Sequence, residues 1–268
     1  MAPIFHMQFL GEKMPLSGDI YYFDSHPKGN GNLPVIVLIH GAGGHHLHWP
    51  RTIRRLPGFR VLAPDLPGHG KSGGLGEQSI APYAQKITHW LDTIGVGRAT
   101  FVGHSMGGAI VQTLALDHPD YLISAVLIGT GAELPVNQKL LEMVAHSKNV
   151  DFALDLILKW SYSKNADPKL IEQVRKKMKE IRPTVLNGDF IACNAFNVSE
   201  RLSEIKLPVQ IIVGEEDKMT PLPLSQKLQA LIKNSKLDII PGAGHMLMLE
   251  KEGEVAKVIE SFLHSKFK

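Results

Sequence analysis

Cysteine is almost absent: Cys193 is the only one in 268 residues. An intramolecular disulfide is therefore impossible, and a reducing, cytosolic setting is permitted. The Ile-Ala-Cys-Asn-Ala-Phe surroundings of Cys193 read as buried packing, not as a catalytic thiol. Long apolar runs are also missing, and none approaches the length that crosses a bilayer. The opening Met1-Ala2-Pro3-Ile4-Phe5-His6 has no basic segment leading into an apolar one, so no secretion signal is expected. A strong charge of either sign is lacking, with a net charge of +3 and a pI of about 8.8. Positive residues are scattered apart from Arg175-Lys176-Lys177, which reads as a solvated helix face and leaves no nucleic-acid footprint. Repeats and low-complexity tracts are absent too. What remains is ordinary for a soluble domain, 44% hydrophobic and 21% charged, and long enough for one large core. The expectation is a cytoplasmic protein acting on a small molecule, with neither nucleic acid nor membrane as partner. Monomer and homodimer stay open.

Along the chain, residues 4–10 and 19–24 read as short strands around a Pro15-Leu16-Ser17-Gly18 turn. Leu33-Pro34-Val35-Ile36-Val37-Leu38-Ile39-His40 is β-branched and apolar on both faces, as a central strand of a covered parallel sheet would be. Arg60–Pro64, the run ending at His104, Ala125–Ile128, Val209–Val213 and Leu237–Ile240 read as further strands. Helical periodicity occupies 78–94, the stretch after Ser105, about 222–233, and the C-terminal segment from about 250. This alternation predicts an α/β fold built from parallel crossover units. Residues 132–200 break it with helical patterns at Leu140–Val144, Phe152–Trp160 and Leu170–Ile181 and no convincing strand. The division expected is a core of residues 1–131 and 201–268, with 132–200 as a helical cap over the carboxyl edge of the sheet, where such sheets bind ligands.

The chemistry starts at Gly103-His104-Ser105-Met106-Gly107-Gly108. An apolar run stops, a Gly-x-Ser-x-Gly follows, and small residues open a helix. A sharp strand-to-helix turn at that point lifts the serine hydroxyl above the sheet edge. Gly103 and Gly107 suit the close approach of strand and helix backbones. A serine hydroxyl needs a base, and the base needs an orienting acid. Strand-end loops offer both, in Gly214-Glu215-Glu216-Asp217-Lys218-Met219-Thr220-Pro221 and in Pro241-Gly242-Ala243-Gly244-His245. Asp217 is favoured over Glu215 and Glu216 by its distance from the strand end and by the Pro221 that follows. Among 13 histidines, His245 alone follows a strand through a Gly-Ala-Gly that frees the backbone to present it. The order Ser105, Asp217, His245 is that of the strand–turn–helix serine hydrolases. Backbone N–H donors for an oxyanion would come from Met106, at the first turn after Ser105, and from Ala42, in the His40-Gly41-Ala42-Gly43-Gly44 loop after the central strand.

Two other groupings invite a reading. His45-His46-x-His48 lacks a carboxylate or cysteine at supporting spacing, so it reads as pocket mouth or helix cap with Trp49 packed nearby, and no metal is expected. In Asp65-Leu66-Pro67-Gly68-His69-Gly70-Lys71-Ser72, Asp65 reads as the organiser of a tight turn through bonds to backbone N–H groups.

Taken together these motifs resemble, in order and in type, the α/β-hydrolase superfamily, over nearly the whole chain except 132–200. The resemblance implies an eight-stranded, mostly parallel sheet with a helical cap inserted after strand 6. It implies Ser105 as nucleophile, Asp217 as acid, His245 as base, and the Ala42 and Met106 N–H groups as the oxyanion hole, with no cofactor. Within the superfamily the chain is similar to small capped carboxylesterases and their lactonase, C–C bond hydrolase and haloperoxidase relatives. Serine at 105 departs from the haloalkane dehalogenases, which carry aspartate there. Substrate choice rests with the cap, where Phe152, Leu156, Trp160, Phe190 and Phe196, together with His104 beside the serine, are the candidate pocket residues. An apolar pocket with few fixed charges favours a neutral ester with a modest acyl or aryl group, and no Arg clamp for a carboxylate is evident. The expectation is a serine carboxylesterase. A lactonase or C–C hydrolase on the same scaffold, and a ligand receptor without turnover, are the alternatives.

Overall fold

The computed structural model describes residues 16–27, 29 and 32–267. The strand expected over 4–10 lies outside them, and the stretch expected to turn at 15–18 instead carries a short strand at Leu16–Ser17, with the turn falling at Gly18-Asp19. Eight strands form one sheet: β1 Leu16–Ser17, β2 Ile20–Asp24, β3 Val35–Ile39, β4 Arg60–Pro64, β5 Ala99–His104, β6 Leu122–Ile128, β7 Val209–Gly214 and β8 Ser235–Ile240. Their spatial order is β1-β2-β4-β3-β5-β6-β7-β8. β1 with β2 and β2 with β4 run antiparallel, and every pairing from β4 to β8 is parallel. The eight-stranded, mostly parallel sheet expected from the sequence is thus the one observed.

Alternation along the central strand explains why it reads as continuously apolar. Val37 and Ile39 point into one core and Ile36 and Leu38 into the other, each fully buried. The first core is closed by α2 Ile80–Thr93, α3 Met106–Asp117 and α8 Leu222–Leu231. The second is closed by α1 Arg51–Arg54, α9 Leu247–Glu250 and α10 Glu252–His264, the last through Val255, Ile259, Phe262 and Leu263. Helices on both faces leave the carboxyl edge of the parallel strands as the open rim. The loops after β3, β5, β7 and β8 all emerge there.

Between β6 and β7 stand four helices, α4 Gln138–Val144, α5 Val150–Ser161, α6 Pro168–Met178 and α7 Pro183–Ala195. The first three answer to the three helical patterns in the sequence. α7 has no such pattern because its polarity does not follow its burial. Ile191 and Ala195 stand on its exposed face, while Gly188 and Asp189 lie among the buried Val185, Leu186, Phe190, Ala192 and Cys193. Pro183 opens it at a position where a missing N–H costs nothing.

Candidate active site

β5 ends at His104 and α3 begins at Met106, so the whole reversal is made at Ser105. Ser105 has φ 55° and ψ −119° and is the one non-glycine residue with positive φ among those described. Such backbone costs on the order of 1–3 kcal/mol and persists only where its surroundings fix it. Here the Ser105 N–H donates to the Ile128 carbonyl at 2.9 Å, and its carbonyl accepts from Gly108 N–H at 2.8 Å and from the buried Thr130 hydroxyl at 2.9 Å. The elbow is tight enough that a Cβ on Gly107 would run into the carbonyls of Ile39 and His40.

Past β7 the chain turns through Gly214-Glu215-Glu216-Asp217. The two glutamates bond outward, Glu215 accepting from Gly242 N–H at 2.9 Å and Glu216 from Lys164 N–H at 3.1 Å. Asp217 is buried and turned inward. Its Oδ1 accepts from the N–H groups of Met219 (2.9 Å) and Thr220 (2.8 Å), and its Oδ2 from the Thr220 hydroxyl (2.8 Å). The same Oδ2 lies 2.9 Å from His245 Nδ1. A carboxylate oxygen only accepts, so Nδ1 carries a proton, and in the neutral ring Nε2 is then the bare nitrogen. His104 supports this arrangement from behind, because its Nε2–H donates to the His245 carbonyl at 3.0 Å. Burial, and then the neighbouring His245, hold the His104 imidazole well below the usual histidine range, so it stays neutral.

Ser105 and His245 open into one cavity of about 260 Å³. Leu140, Ile157, Leu158, Val174, Met178 and Phe190 from the inserted helices make its apolar wall. Ala42 lines it as well. Neither the Ala42 N–H nor the Met106 N–H has an acceptor among the described residues. Both are therefore available as donors, Met106 as the first N–H of α3. Lys218 is the only Lys or Arg among the described lining residues. His48 also lines the cavity, and burial lowers its pKa to about 3, so it presents a neutral ring.

Of the residues predicted to touch substrate, His104, Trp160 and Phe190 line the cavity. Phe152 does not: it sits on the outward face of α5, 67% exposed. Phe196 is buried in the core on the opposite side of the sheet from the one that packs Phe190. Leu156 packs among the inserted helices without lining the cavity. Periodicity places a residue on a helix face, but which face looks down on the serine depends on how the four helices stack. Cys193 does line the cavity, and burial pushes its thiol up and away from thiolate chemistry.

The histidine cluster divides. His45 Nδ1 accepts from Leu47 N–H at 3.3 Å, capping a turn over His46–His48. Asp65 comes within 4.8 Å of ring nitrogens of His45 and His46, a carboxylate the sequence spacing did not reveal. Its oxygens are engaged by N–H groups: Oδ1 by the His46 backbone (2.7 Å) and Nδ1 (2.8 Å), Oδ2 by Lys71 N–H (2.9 Å). Asp65 thus does organise its turn, and it ties the His45–His48 segment to it.

Two buried neighbours of the site escaped sequence reasoning. Thr220 lies three residues after Asp217, an Asx-turn spacing that could have flagged it. Asp189 is the only charged residue between Pro183 and Phe196, and a lone carboxylate in an apolar helix is the signal for a buried partner.

With this geometry in place, comparison with known proteins identifies the class. The model of the alpha/beta hydrolase family matches residues 36–258, and the chain belongs to that family. Among curated relatives, 2-hydroxy-6-oxo-6-phenylhexa-2,4-dienoate hydrolase of Burkholderia cepacia is 24% identical over 90% of this chain and 91% of its own. Among solved structures, a thermophilic esterase is 32% identical with a TM-score of 0.79, over 92% of this chain and 94% of that one. An N-acyl homoserine lactone degrading enzyme is 28% identical with a TM-score of 0.79, over 91% and 96%. The relatives are hydrolases of different bonds. Among the described residues no helix is long and apolar enough to cross a membrane.

Proposed function

We propose that the protein is a serine carboxylesterase acting on small to medium, uncharged esters, and that α4–α7 form the cap that shapes its pocket. One observation carries the reading. A serine on a strained elbow shares an apolar-walled cavity with an imidazole whose Nδ1 is held by a buried carboxylate. His245 Nε2 takes the Ser105 proton as the hydroxyl oxygen attacks the ester carbonyl. Asp217 holds the tautomer and stabilises the imidazolium that forms. The tetrahedral oxyanion accepts from the N–H groups of Ala42 and Met106, each such donor contributing a few kcal/mol in typical cases. Collapse expels the alcohol, which leaves with the proton from His245. Water, deprotonated by His245, then attacks the acyl-enzyme carbonyl and releases the acid and free Ser105. This cycle needs no cofactor or metal. We infer a cytoplasmic setting from the single cysteine, which precludes an intramolecular disulfide.

The esterase in the comparison favours this bond, and so does the cavity wall, where Lys218 is the only Lys or Arg among the described residues. The lactone-degrading relative makes a cyclic ester the second reading, since it needs the same steps with the alcohol tethered. The test is turnover of p-nitrophenyl esters from acetate to laurate by wild type and Ser105→Ala. Fast hydrolysis of short esters, lost at least 10³-fold in Ser105→Ala, is the expected result. Feeble turnover along the whole series, with lactones or vinylogous diketones consumed instead, would replace the ester reading.

A further inference from the structure

Asp189 sits in the middle of α7, 0% exposed, yet its carboxylate is bonded entirely to the sheet-bearing part of the chain. Oδ2 accepts from Gly43 N–H at 2.7 Å and from His69 Nε2 at 2.7 Å, and Oδ1 accepts from the Tyr83 hydroxyl at 2.8 Å. His69 Nδ1 faces the Pro67 carbonyl at 3.0 Å. Both ring nitrogens of His69 therefore meet oxygens that can only accept, so both carry protons and the ring is an imidazolium. Burial alone would lower its pKa; the Asp189 carboxylate outweighs burial and raises it. The inserted helices are thus fastened to the sheet by a buried ion pair.

The third partner gives the latch its consequence. Gly43 N–H belongs to the peptide joining Gly43 to Ala42, which lines the cavity. The turn is closed from Gly44 N–H to the Gly41 carbonyl at 3.0 Å, and Gly43 adopts φ +60° within it. From above, a Cβ on Gly43 would lie 2.8 Å from Leu186 Cδ1 and 3.0 Å from Ile181 Cδ1. Both of these side chains come from the insertion. The turn is therefore set by contacts from α7 and the segment before it, with Asp189 gripping the peptide that fixes Ala42.

We propose that Asp189 is a positioning residue for the oxyanion turn, holding the Ala42–Gly43 peptide so that the Ala42 N–H is aimed only while α7 is seated on the sheet. This rests on the serine-hydrolase reading of Ser105. Removing the grip leaves Ser105, His245 and the cavity wall in place and loosens one oxyanion donor. The loss should fall on the transition state and not on substrate binding.

The experiment compares wild type, Asp189→Asn, Tyr83→Phe and the charge-balanced double variant His69→Gln/Asp189→Asn. The measurements are kcat and KM on a p-nitrophenyl ester, the rate constant for Ser105 phosphonylation by a fluorophosphonate, and Tm. The phosphoryl oxygen occupies the same hole, so phosphonylation reads the turn without reference to the natural bond. Asp189→Asn and the double variant should lose about 10- to 100-fold in kcat and in phosphonylation rate, with KM within about 3-fold. Tyr83→Phe removes a bond to the other carboxylate oxygen, so it should lower Tm while keeping kcat within about 3-fold. If Asp189→Asn fails to fold, the double variant, which leaves no unpaired ion, carries the comparison. Folded variants at position 189 with kcat and phosphonylation near wild type would overturn the proposal and leave Asp189 a fastening of the fold alone. Wild type that phosphonylates quickly but cleaves no ester would defeat the esterase reading and leave the Asp189 comparison to be read from labelling rates. Wild type that does not label at all would overturn both.

Discussion

Acid should destabilise this fold through His40 in a way that can be isolated. The His40 ring is 1% exposed, its Nδ1–H donates to the Gly41 carbonyl at 2.8 Å, and its Nε2 accepts from Leu66 N–H at 3.0 Å. An accepting nitrogen has no proton, so the native ring is neutral by geometry. Burial first, and then the nearby His69, hold its pKa well below the histidine range, and the two rings lie 4.9 Å apart. Protonating His40 would strip Leu66 N–H of its acceptor and set a second cation beside the His69 imidazolium. The unfolded chain meets no such obstacle and takes up the proton near pH 6.5. Below that value the unfolded state binds more protons than the native state, so stability falls as pH falls. For one site moving from pH 6 to pH 5 the loss is about 1.2 kcal/mol. His104 and His48 act in the same direction, and His48 does so down to about pH 3. His69, with its raised pKa, is protonated in both states below 6.5. Its contribution is full there and is lost only as pH rises through its native pKa. Urea unfolding of wild type and His40→Asn at pH 6 and pH 5 should show the wild type losing about 1.2 kcal/mol more than the variant between the two. Parallel losses would mean that native His40 accepts a proton freely, and the reasoning from its two hydrogen bonds would be wrong.

The remaining predictions concern the elbow and the acid. Thr220→Val removes the hydroxyl bonded to Asp217 Oδ2 and keeps its volume. It should cost about 1.5–3 kcal/mol in urea unfolding and on the order of 10-fold in kcat, while Glu215→Gln in the same loop leaves kcat unchanged. Gly107→Ala drives a Cβ into the backbone carbonyls at the end of β3, which cannot rotate away. Fluorophosphonate labelling of Ser105 should be lost in this variant, either with the fold or with the elbow alone, and circular dichroism distinguishes the two.

Much of this arrangement was legible in the sequence because it is local. A strand that is apolar on both faces, a Gly-x-Ser-x-Gly at its end and polar residues in strand-end loops each announce themselves within about ten residues. That sufficed for the parallel strands, for the sharp turn at Ser105, and for placing Asp217 and His245 in strand-end loops, where the fold brings them within 2.9 Å. Contacts between distant segments were the part that stayed hidden. His69 stands four residues from Asp65 in the sequence, yet its ring bonds to Asp189, 120 positions along the chain. Phe152 and Trp160 share a helix and an apolar character, and only Trp160 lines the cavity. α7 was missed because an apolar Ile191 on its exposed face and a carboxylate, Asp189, on its buried face erase the period that reveals a helix.

That missed helix bears on why one scaffold serves relatives that cleave different bonds. A cap that merely covered the rim could be exchanged without touching the machinery beneath it. Here Phe190 and Cys193, which wall the cavity, share α7 with Asp189, whose carboxylate accepts from the Gly43 N–H. Cys193 lies one helical turn beyond Asp189, and Phe190 is its immediate neighbour. A helix moves as a rigid body, so a substrate too large for the wall displaces the carboxylate along with it. On the Asp189 proposal, misfit is then felt twice, as poorer seating and as a loosened Ala42 donor. The second penalty falls on kcat, so discrimination between acyl groups should exceed what the difference in apolar contact with the wall supplies.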